Sequence, residues 1–457
     1  MTQDPQSLYR KRSSTREFLL YKTDYKTGKS QTRVDKTEEQ PAAGLDELSQ
    51  VFPDLLAGKT FIESSTARLD SFSTFGAMAI RLNRLSGDPA AYGNDHETGP
   101  HPDVWIALAK IIDEFCKNET GIWGLLNRDT FGCFFPEKNE YFCLEAASKI
   151  QKTLSGRFKE TVTVGTAGYP TLDFDKRRIL ENACKALDHA AFFGPNSAVS
   201  FDAVSLNISG DKRYQEGDIQ GAIEEFETGL RIDPSDANLH NSLGVCYGVE
   251  GDFKKAFKEF ETASRIDSSE VMAIYNLGIV SLMMNQKEKA LEYFLRADEI
   301  ADNIFEVAFQ AGRLYQELGP PDHAKKFLEK AIALNPESGS AFRCLGDCYS
   351  SIDMTREALA AYKKAIKQNP NDAASLSALG YLYNVQGENP EIAETFCRQS
   401  VKIAPGNGLF RHRLGMIYLQ ENRLDDALAE LKTARKLGHD SAELIENIEN
   451  RLTVKNS

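Results

Sequence analysis

The residues best placed for chemistry lie in a short polar stretch between two apolar runs. Residues 127–131 read Asn-Arg-Asp-Thr-Phe, with apolar residues at 124–126 before them and at 131–135 after them. Asn and Asp favour turns because their side chains bond nearby backbone, so the stretch predicts the tip of a β-hairpin. Asp129 offers a carboxylate of the kind that Mg²⁺ prefers, but a lone Asp is also an ordinary turn residue. A metal site here depends on the side chains that neighbouring elements bring to the tip.

Cysteine and histidine do not predict a second site. The eight cysteines form no Cys-x-x-Cys pair and the seven histidines are dispersed along the chain. A zinc site therefore has no support, and we expect the cysteines to be small buried side chains. Cys344 and Cys348 lie four residues apart and would share one face of a helix. We expect neither a metal nor a cofactor.

The elements around the hairpin tip alternate between strand and helix patterns. Alternating apolar residues predict a strand at 75–83, and β-branched residues predict another at 161–168. Apolar residues at helical spacing predict helices at 104–115, 141–154 and 178–192, and a last short strand is expected at 198–201. With the hairpin, the order is β-α-β-β-α-β-α-β. It predicts an α+β sandwich around a central antiparallel sheet.

This order resembles the GGDEF domain of diguanylate cyclases over about residues 70–202. Three stretches carry the resemblance: the tip at 127–131, the strand at 162–165 and the helix end at 183–196. The resemblance implies a nucleotidyl-cyclase-like fold that joins two GTP molecules with the help of two Mg²⁺ ions. In that family an Asp on the first strand and the acidic third residue of the tip bind the metal.

Most residues that the cyclase reaction needs are replaced in this sequence. The first-strand Asp falls at Arg81, which puts a cation where a cation must bind. The other replaced positions are Asn83, Asn127, Arg128, Thr130 and Ala191, and the product-inhibition motif would fall at Asn118 and Gly121. Asp103 and Asp129 remain as vestigial nucleotide-binding candidates. The resemblance therefore implies a degenerate domain without catalytic residues.

From residue 203 onward the sequence repeats itself. Glycines recur at steps of 34 residues, with a last step of 35, at Gly244, Gly278, Gly312, Gly346, Gly380 and Gly415. Alanines and bulky residues keep the same register, which would let two helices approach closely while a bulky side chain fills the gap. The pattern resembles the tetratricopeptide repeat, a helix-turn-helix of about 34 residues. It covers seven units over 203–441, and residues 442–457 are expected to form a capping helix and tail.

The tetratricopeptide resemblance implies a superhelix whose concave groove binds peptides or helices of partner proteins. The first helix of each pair lines that groove. The groove candidates are Asn241, Tyr275, Asn276, Phe309, Arg313, Arg343, Tyr381 and Arg413. Val245, Glu306 and Gln310 do not fit the Lys and Asn pattern that clamps a C-terminal carboxylate, so such a clamp is rejected.

Composition and charge restrict the class of function. The 457 residues are 41% hydrophobic and 26% charged, with a net charge of −13 that disfavours general binding to nucleic acid. No apolar run approaches the ~20 residues of a membrane-spanning helix. The first residues carry charges where a secretory signal needs an apolar core, so we expect a cytoplasmic protein. Residues 1–45 are expected to be a basic, flexible leader.

Together these patterns predict a bacterial-type scaffold. A degenerate GGDEF-like domain at 46–202 would precede an all-α tetratricopeptide superhelical solenoid, and the chain would bind protein partners in a signalling or assembly complex without catalysis. Two alternatives stay open. The first is a sensor that binds GTP or cyclic di-GMP without turnover. The second is a residual diguanylate cyclase, which would require Arg81 to be misaligned.

Overall fold

The computed structural model describes residues 45–83, 102–387 and 389–455, which form twenty helices and five strands. The predicted basic leader lies outside the described residues, apart from residue 45 at its end. The chain divides into two compact units, Met1–Asn276 and Leu277–Ser457. No helix in the described ranges is both long enough and apolar enough to cross a membrane.

The first unit begins with an α+β region. Its elements are α1 (Leu45–Val51), α2 (Gly58–Leu69), β1 (Phe75–Asn83), α3 (Pro102–Asn118), β2 (Ile122–Leu125), β3 (Thr130–Pro136), α4 (Glu140–Ser155), β4 (Thr161–Tyr169), α5 (Arg178–Ala191) and β5 (Ala198–Ser200). From β1 onward this is the predicted order. Helix α2 is absent from the prediction because its buried face includes the polar Ser65 and Thr66, which weakens the apolar periodicity.

The strands form one sheet in the order β2-β3-β1-β4-β5. β1 pairs antiparallel with both β3 and β4, and β2 pairs antiparallel with β3. β5 instead pairs parallel with β4, so the prediction of an antiparallel sheet is wrong at this edge. Helix α5 connects these two strands, and such a crossover returns the chain in its original direction.

Hydrophobic clusters cover both faces of the sheet. Met78 and Ile80 of β1 belong to a cluster with α3 and α4, whereas Ala77 and Ala79 belong to a cluster with α2 and α5. Successive side chains of a strand point to opposite faces, so β1 alternates between the two clusters. The sheet is therefore a buried layer, and its strand ends are the places where polar side chains collect.

The remaining helices form seven consecutive pairs followed by a single helix. They are α6 (Ala203–Gln215), α7 (Ile219–Ile232), α8 (Ala237–Glu250), α9 (Phe253–Ile266), α10 (Val271–Met283), α11 (Lys287–Ile300), α12 (Phe305–Leu318), α13 (Pro321–Leu334), α14 (Gly339–Ser351), α15 (Thr355–Gln368), α16 (Ala373–Gln386), α17 (Pro390–Ile403), α18 (Gly408–Gln420), α19 (Leu424–Lys436) and α20 (Ala442–Lys455). The first unit ends within α10.

Close helix contact within each pair explains the repeated glycines. A Cβ atom on Gly244 would lie 2.7 Å from the ring of Phe260, and one on Gly346 would lie 2.7 Å from the ring of Tyr362. The same relation holds at Gly210, Gly278, Gly312, Gly380 and Gly415. The predicted combination of a small residue on the first helix and a larger one on the second is confirmed. Gly210 extends the series to the first pair.

Candidate functional site

The predicted hairpin is present, and Asp129 behaves as a turn residue. Leu125 of β2 lies opposite Phe131 of β3. The backbone N–H of Asp129 donates to Asn127 Oδ1 at 3.1 Å, and Thr130 Oγ1 donates to Asp129 Oδ1 at 2.7 Å. These local bonds fix the tip without any ligand.

Arg81 brings its guanidinium group to the carboxylates beside the tip. Arg81 Nε lies 3.8 Å from Asp129 Oδ2, and Arg81 Nη1 lies 3.6 Å from Asp188 Oδ1 at the end of α5. The positive charge of Arg81 therefore lies between the two carboxylates. The described residues also hold no group of three or more His, Cys, Asp or Glu side chains that could bind a metal ion.

Asp103, the other vestigial candidate, lies in the first turn of α3 and is exposed. The polar contacts of Asp129 run to Asn127, Thr130 and Arg81, and none of them runs to Asp103. A cleft of about 630 Å³ lies elsewhere in the region, between α2, Leu126 and Arg177. The sequence analysis does not identify this cleft, because α2 itself is not predicted.

Three of the groove candidates are buried in the structure. Asn241 and Tyr275 are 6% and 1% exposed, and Asn276 is fully buried. Asn276 Nδ2 donates to Asn241 Oδ1 at 3.1 Å, so this pair satisfies hydrogen bonds inside the first unit. These residues do not face a partner as the sequence analysis expects, and they drop out of the groove. Their periodic positions match groove positions, but local packing covers them.

The other five groove candidates lie on first helices of the second unit and are half-buried. Phe309 and Arg313 lie on α12, Arg343 on α14, Tyr381 on α16 and Arg413 on α18. Helix α12 contacts α14, and α16 contacts α18. Arg343 Nη1 on α14 lies 3.4 Å from Asp372 Oδ1, at the N-cap of α16. These contacts join the first helices into one face, which we call the arginine face.

Aromatic rings hold two of the arginines in place. The guanidinium carbon of Arg313 lies 5.8 Å from the centre of the Phe309 ring, and that of Arg413 lies 5.1 Å from the Tyr381 ring. Such cation–π contacts fix the cation over the ring and leave its N–H groups at the rim. The arginine face therefore alternates charged groups with flat apolar surfaces.

Asp347 is a member of this face that the sequence analysis does not identify. Tyr362 donates its hydroxyl to Asp347 Oδ1 at 2.7 Å. Loss of hydration raises the pKa of Asp347, while the Tyr362 hydrogen bond and the charges of Arg343 and Arg413 oppose that rise. Asp347 occupies the repeat position of Arg313 one unit later, so the 34-residue register is the signal that could have found it.

Comparison with known proteins identifies the repeats. Residues 210–248 match a model described as a TPR repeat, and residues 305–338, 345–372 and 361–394 match models described as tetratricopeptide repeats. The second half of the chain therefore contains tetratricopeptide repeats, which in general mediate protein–protein interactions. A search of curated proteins finds no match to this chain.

Several solved structures are similar to part of the chain. YrrB, described as a TPR protein with an unusual peptide-binding site, is 22% identical over 42% of this chain and 97% of its own, with a TM-score of 0.38. MamA is 27% identical over 36% of this chain and 96% of its own, with a TM-score of 0.34. PilF of Pseudomonas aeruginosa is 23% identical over 46% of this chain and 95% of its own, with a TM-score of 0.42.

Proposed function

We propose that this chain is a non-catalytic scaffold whose tetratricopeptide repeats bind a protein partner. The observation that carries the proposal is the arginine face on α12, α14, α16 and α18, where half-exposed rings and guanidinium groups alternate. Arginine and aromatic side chains are enriched at protein interfaces because they combine apolar area with directional hydrogen bonds. The partner-binding residues in this proposal are Phe309, Arg313, Arg343, Tyr381 and Arg413, with Asp347 added.

Capture of partners by the full chain tests this function. We expect charge reversal at Arg313, Arg343 and Arg413 to abolish the capture of proteins from a lysate of the source cell. The circular dichroism spectrum of the variant should match that of the unmodified chain. Arg356→Glu is the matched control, because Arg356 is exposed on α15, the second helix of the same pair as α14. An unchanged set of captured proteins in the triple variant would show that the arginine face is not the binding surface.

The proposal extends to the α+β region, which we interpret as a degenerate GGDEF-like domain. Its support is the order of strands and helices from β1 to β5 and the position of Arg81 between two carboxylates. A guanidinium group at this point opposes the approach of Mg²⁺, which a phosphoryl-transfer site of this class requires. The role proposed for this region is binding rather than catalysis.

The absence of turnover has a direct test. The full chain, incubated with GTP and Mg²⁺, is expected to yield no cyclic dinucleotide above a protein-free blank. Asp129→Ala separates a true activity from contamination, because a real cyclase would lose its product in this variant. Product that forms with the unmodified chain and disappears with Asp129→Ala would overturn the non-catalytic assignment.

A further inference from the structure

A second cleft adjoins the arginine face at Asp347. Its volume is about 540 Å³, and it lies between α12, α13 and α14, within the second unit. Gln316, Asp347, Cys348 and Ser351 supply its polar side chains. Among the described residues that line it, Asp347 alone carries a charge at neutral pH. The cleft is therefore a polar site with one carboxylate.

The charges around this cleft balance, so net charge does not select its ligand. The three helices that line it hold five carboxylates and five lysine or arginine side chains. The carboxylates are Glu306, Glu317, Asp322, Glu329 and Asp347, and the cations are Arg313, Lys325, Lys326, Lys330 and Arg343. On the neighbouring first helices, Asp372 at the N-cap of α16 offsets Arg413 on α18. Selection must come from the hydrogen-bonding groups that line the cleft.

The side chains that line the cleft direct their donors to the backbone. Ser351 Oγ donates to the carbonyl of Cys348 at 2.7 Å, and Cys348 Sγ donates to the carbonyl of Pro321 at 3.4 Å. Gln316 Nε2 donates to the carbonyl of Cys344 at 2.7 Å. Pro321 has no backbone N–H. The groups left for a ligand are mainly acceptors, the lone pairs of Ser351 Oγ and Gln316 Oε1.

Asp347 adds a charged acceptor to this set. Its Oδ1 accepts from the Tyr362 hydroxyl at 2.7 Å. Arg343, four residues earlier on α14, pairs with Asp372 at 3.4 Å rather than with Asp347. Loss of hydration raises the pKa of Asp347 despite the charges of Arg343 and Arg413. A further cation beside this carboxylate would therefore stabilise its charged form.

These acceptors suit an ammonium group better than a guanidinium group. A lysine ammonium has three donors and no acceptor, so it can bind several single oxygens. The planar fork of a guanidinium group instead matches both oxygens of one carboxylate, and Tyr362 already uses Oδ1 of Asp347. The methylene groups of a lysine can lie along apolar surface, which Pro321 and Ala324 provide in the same cleft.

We propose that the cleft between α12, α13 and α14 binds a lysine side chain of the protein partner, with the ammonium group on Asp347 and the methylene chain along Pro321 and Ala324. This inference rests on the proposed function and names one side chain that the partner presents. The ammonium group could also belong to a free polyamine, and the experiment separates these two sources.

Fluorescence anisotropy with a labelled octalysine peptide tests the inference on the full chain, at physiological ionic strength to screen the other acidic groups of the surface. Asp347→Asn is expected to weaken binding about tenfold, because it removes a charge-assisted hydrogen bond and keeps an acceptor for Tyr362. Ser351→Ala should weaken it about threefold, because it removes a neutral acceptor. Glu357→Gln is the matched control, since Glu357 is exposed on α15, and should change binding less than about twofold.

Octalysine acetylated at every Nε is the matched control peptide. It keeps the length and the backbone of octalysine but loses the positive charges and most of the donors. We expect it to bind at least tenfold more weakly than octalysine, and we expect octaarginine to lose less affinity than octalysine when Asp347 is replaced by Asn.

Three outcomes overturn the inference. They are equal octalysine binding by Asp347→Asn and the unmodified chain, equal binding of acetylated and unmodified octalysine, and displacement of octalysine by spermidine at lower concentration than by unlabelled octalysine. The last would identify a free polyamine as the ligand. Failure of the inference is distinct from failure of the proposed function. If octalysine binding is independent of Asp347 but lysate capture still depends on Arg313, Arg343 and Arg413, only the lysine ligand is wrong. If capture is also independent of these arginines, the proposed function fails too.

Discussion

At the scale of residues, the positions that build the repeats also orient side chains on the arginine face. Gly346 allows Tyr362 to approach α14, and the same tyrosine donates its hydroxyl to Asp347 on the arginine face. Burial, with Asp347 beside it, raises the pKa of Tyr362, so the phenol stays a donor at all ordinary pH values. One packing contact therefore fixes the orientation of a carboxylate on the arginine face.

Gly346→Ala should destabilise the second unit. The added Cβ would lie 2.7 Å from the Tyr362 ring, and overpacking of this kind costs about 1–3 kcal/mol. Alanine favours a helix over glycine by about 1 kcal/mol, which offsets part of the cost. We expect a net loss of about 1 kcal/mol, measured by urea denaturation. Gly406→Ala is the control because no atom lies within 4 Å of its Cβ position, and equal stability of both variants would contradict the packing argument.

At the scale of elements, the sequence predicts the repeated helix pairs but misses features that depend on contacts between residues far apart in the chain. The helix pairs follow from one steric requirement, glycine against a larger side chain, that each repeat meets in the same register. The parallel pairing of β5 follows from the helix that separates it from β4, a crossover that is present in the predicted order but that the predicted antiparallel sheet does not take into account. Asn241 and Asn276 occupy groove positions of the repeat, but the packed helices bury both side chains, which are hydrogen-bonded to each other. The local sequence pattern therefore predicts where helices and strands lie, whereas the exposure of a given side chain is known only from the packed structure.

The last helix pair and helix α20 are linked through two histidines. His412 on α18 and His439 lie with ring centres 4.5 Å apart, and His412 Nδ1 lies 2.8 Å from Ser441 Oγ, just before α20. Burial lowers the pKa of His412, and the nearby charges of His439 and Arg413 lower it further, against a smaller opposite effect of Asp440. The contact between His412 and Ser441, just before α20, is therefore made by a neutral imidazole.

Acid should weaken this attachment. The folded pKa of His412 is below the unfolded value of about 6.5, so the unfolded chain takes up protons first as the pH falls. The stability contributed by His412 is present above about pH 6.5 and is lost as the pH drops through that value toward the folded pKa. We expect the difference in thermal midpoint between the unmodified chain and His412→Asn to shrink from pH 7.5 to pH 5.

His240→Gln gives a control of opposite sign. Burial alone would lower the pKa of His240, but Glu259 at 2.7 Å and the Pro234 carbonyl raise it above the ordinary value. The stability it contributes is present below about pH 6.5 and is lost as the pH rises through the folded pKa. As the pH rises, the loss of stability caused by His412→Asn should therefore grow, while the loss caused by His240→Gln should shrink. If both losses changed in the same direction, the local environments of the two histidines would not determine the pH dependence.

At the scale of the whole molecule, the α+β region and the first repeats share one compact unit that extends to Asn276. Lys185 on α5 lies 2.9 Å from each carboxylate oxygen of Glu225 on α7, and both side chains are buried. Arg213 on α6 lies 3.4 Å from the same carboxylate. Stacked repeats need their terminal faces covered. Helix α5 covers the first pair here, so the α+β region serves as the cap of the repeats that follow it.

Breaking the buried pair should loosen that cap. Lys185→Met leaves the Glu225 carboxylate buried beside Arg213 alone, and Glu225→Gln leaves Lys185 with Glu181 at 3.2 Å. Removal of one partner of a buried pair typically lowers the free energy of unfolding by about 3–5 kcal/mol. We expect the lower end of this range, because Arg213 or Glu181 still partly compensates the charge that remains. The double variant should lose less than the sum of the two, because no buried charge is left unpaired.

Hydrogen exchange locates the effect within the molecule. Faster exchange is expected in α5, α6 and α7 of Glu225→Gln, with no change in α18 to α20, which belong to the second unit. Arg231→Gln is the matched control, because Arg231 and Asp173 also join the repeats to the α+β region at 2.6 Å but are exposed, and exposed ion pairs contribute little. If Glu225→Gln exchanged like Arg231→Gln, the buried pair would not hold the cap, and the apolar contacts of Phe174 with Phe201 would be the next to test.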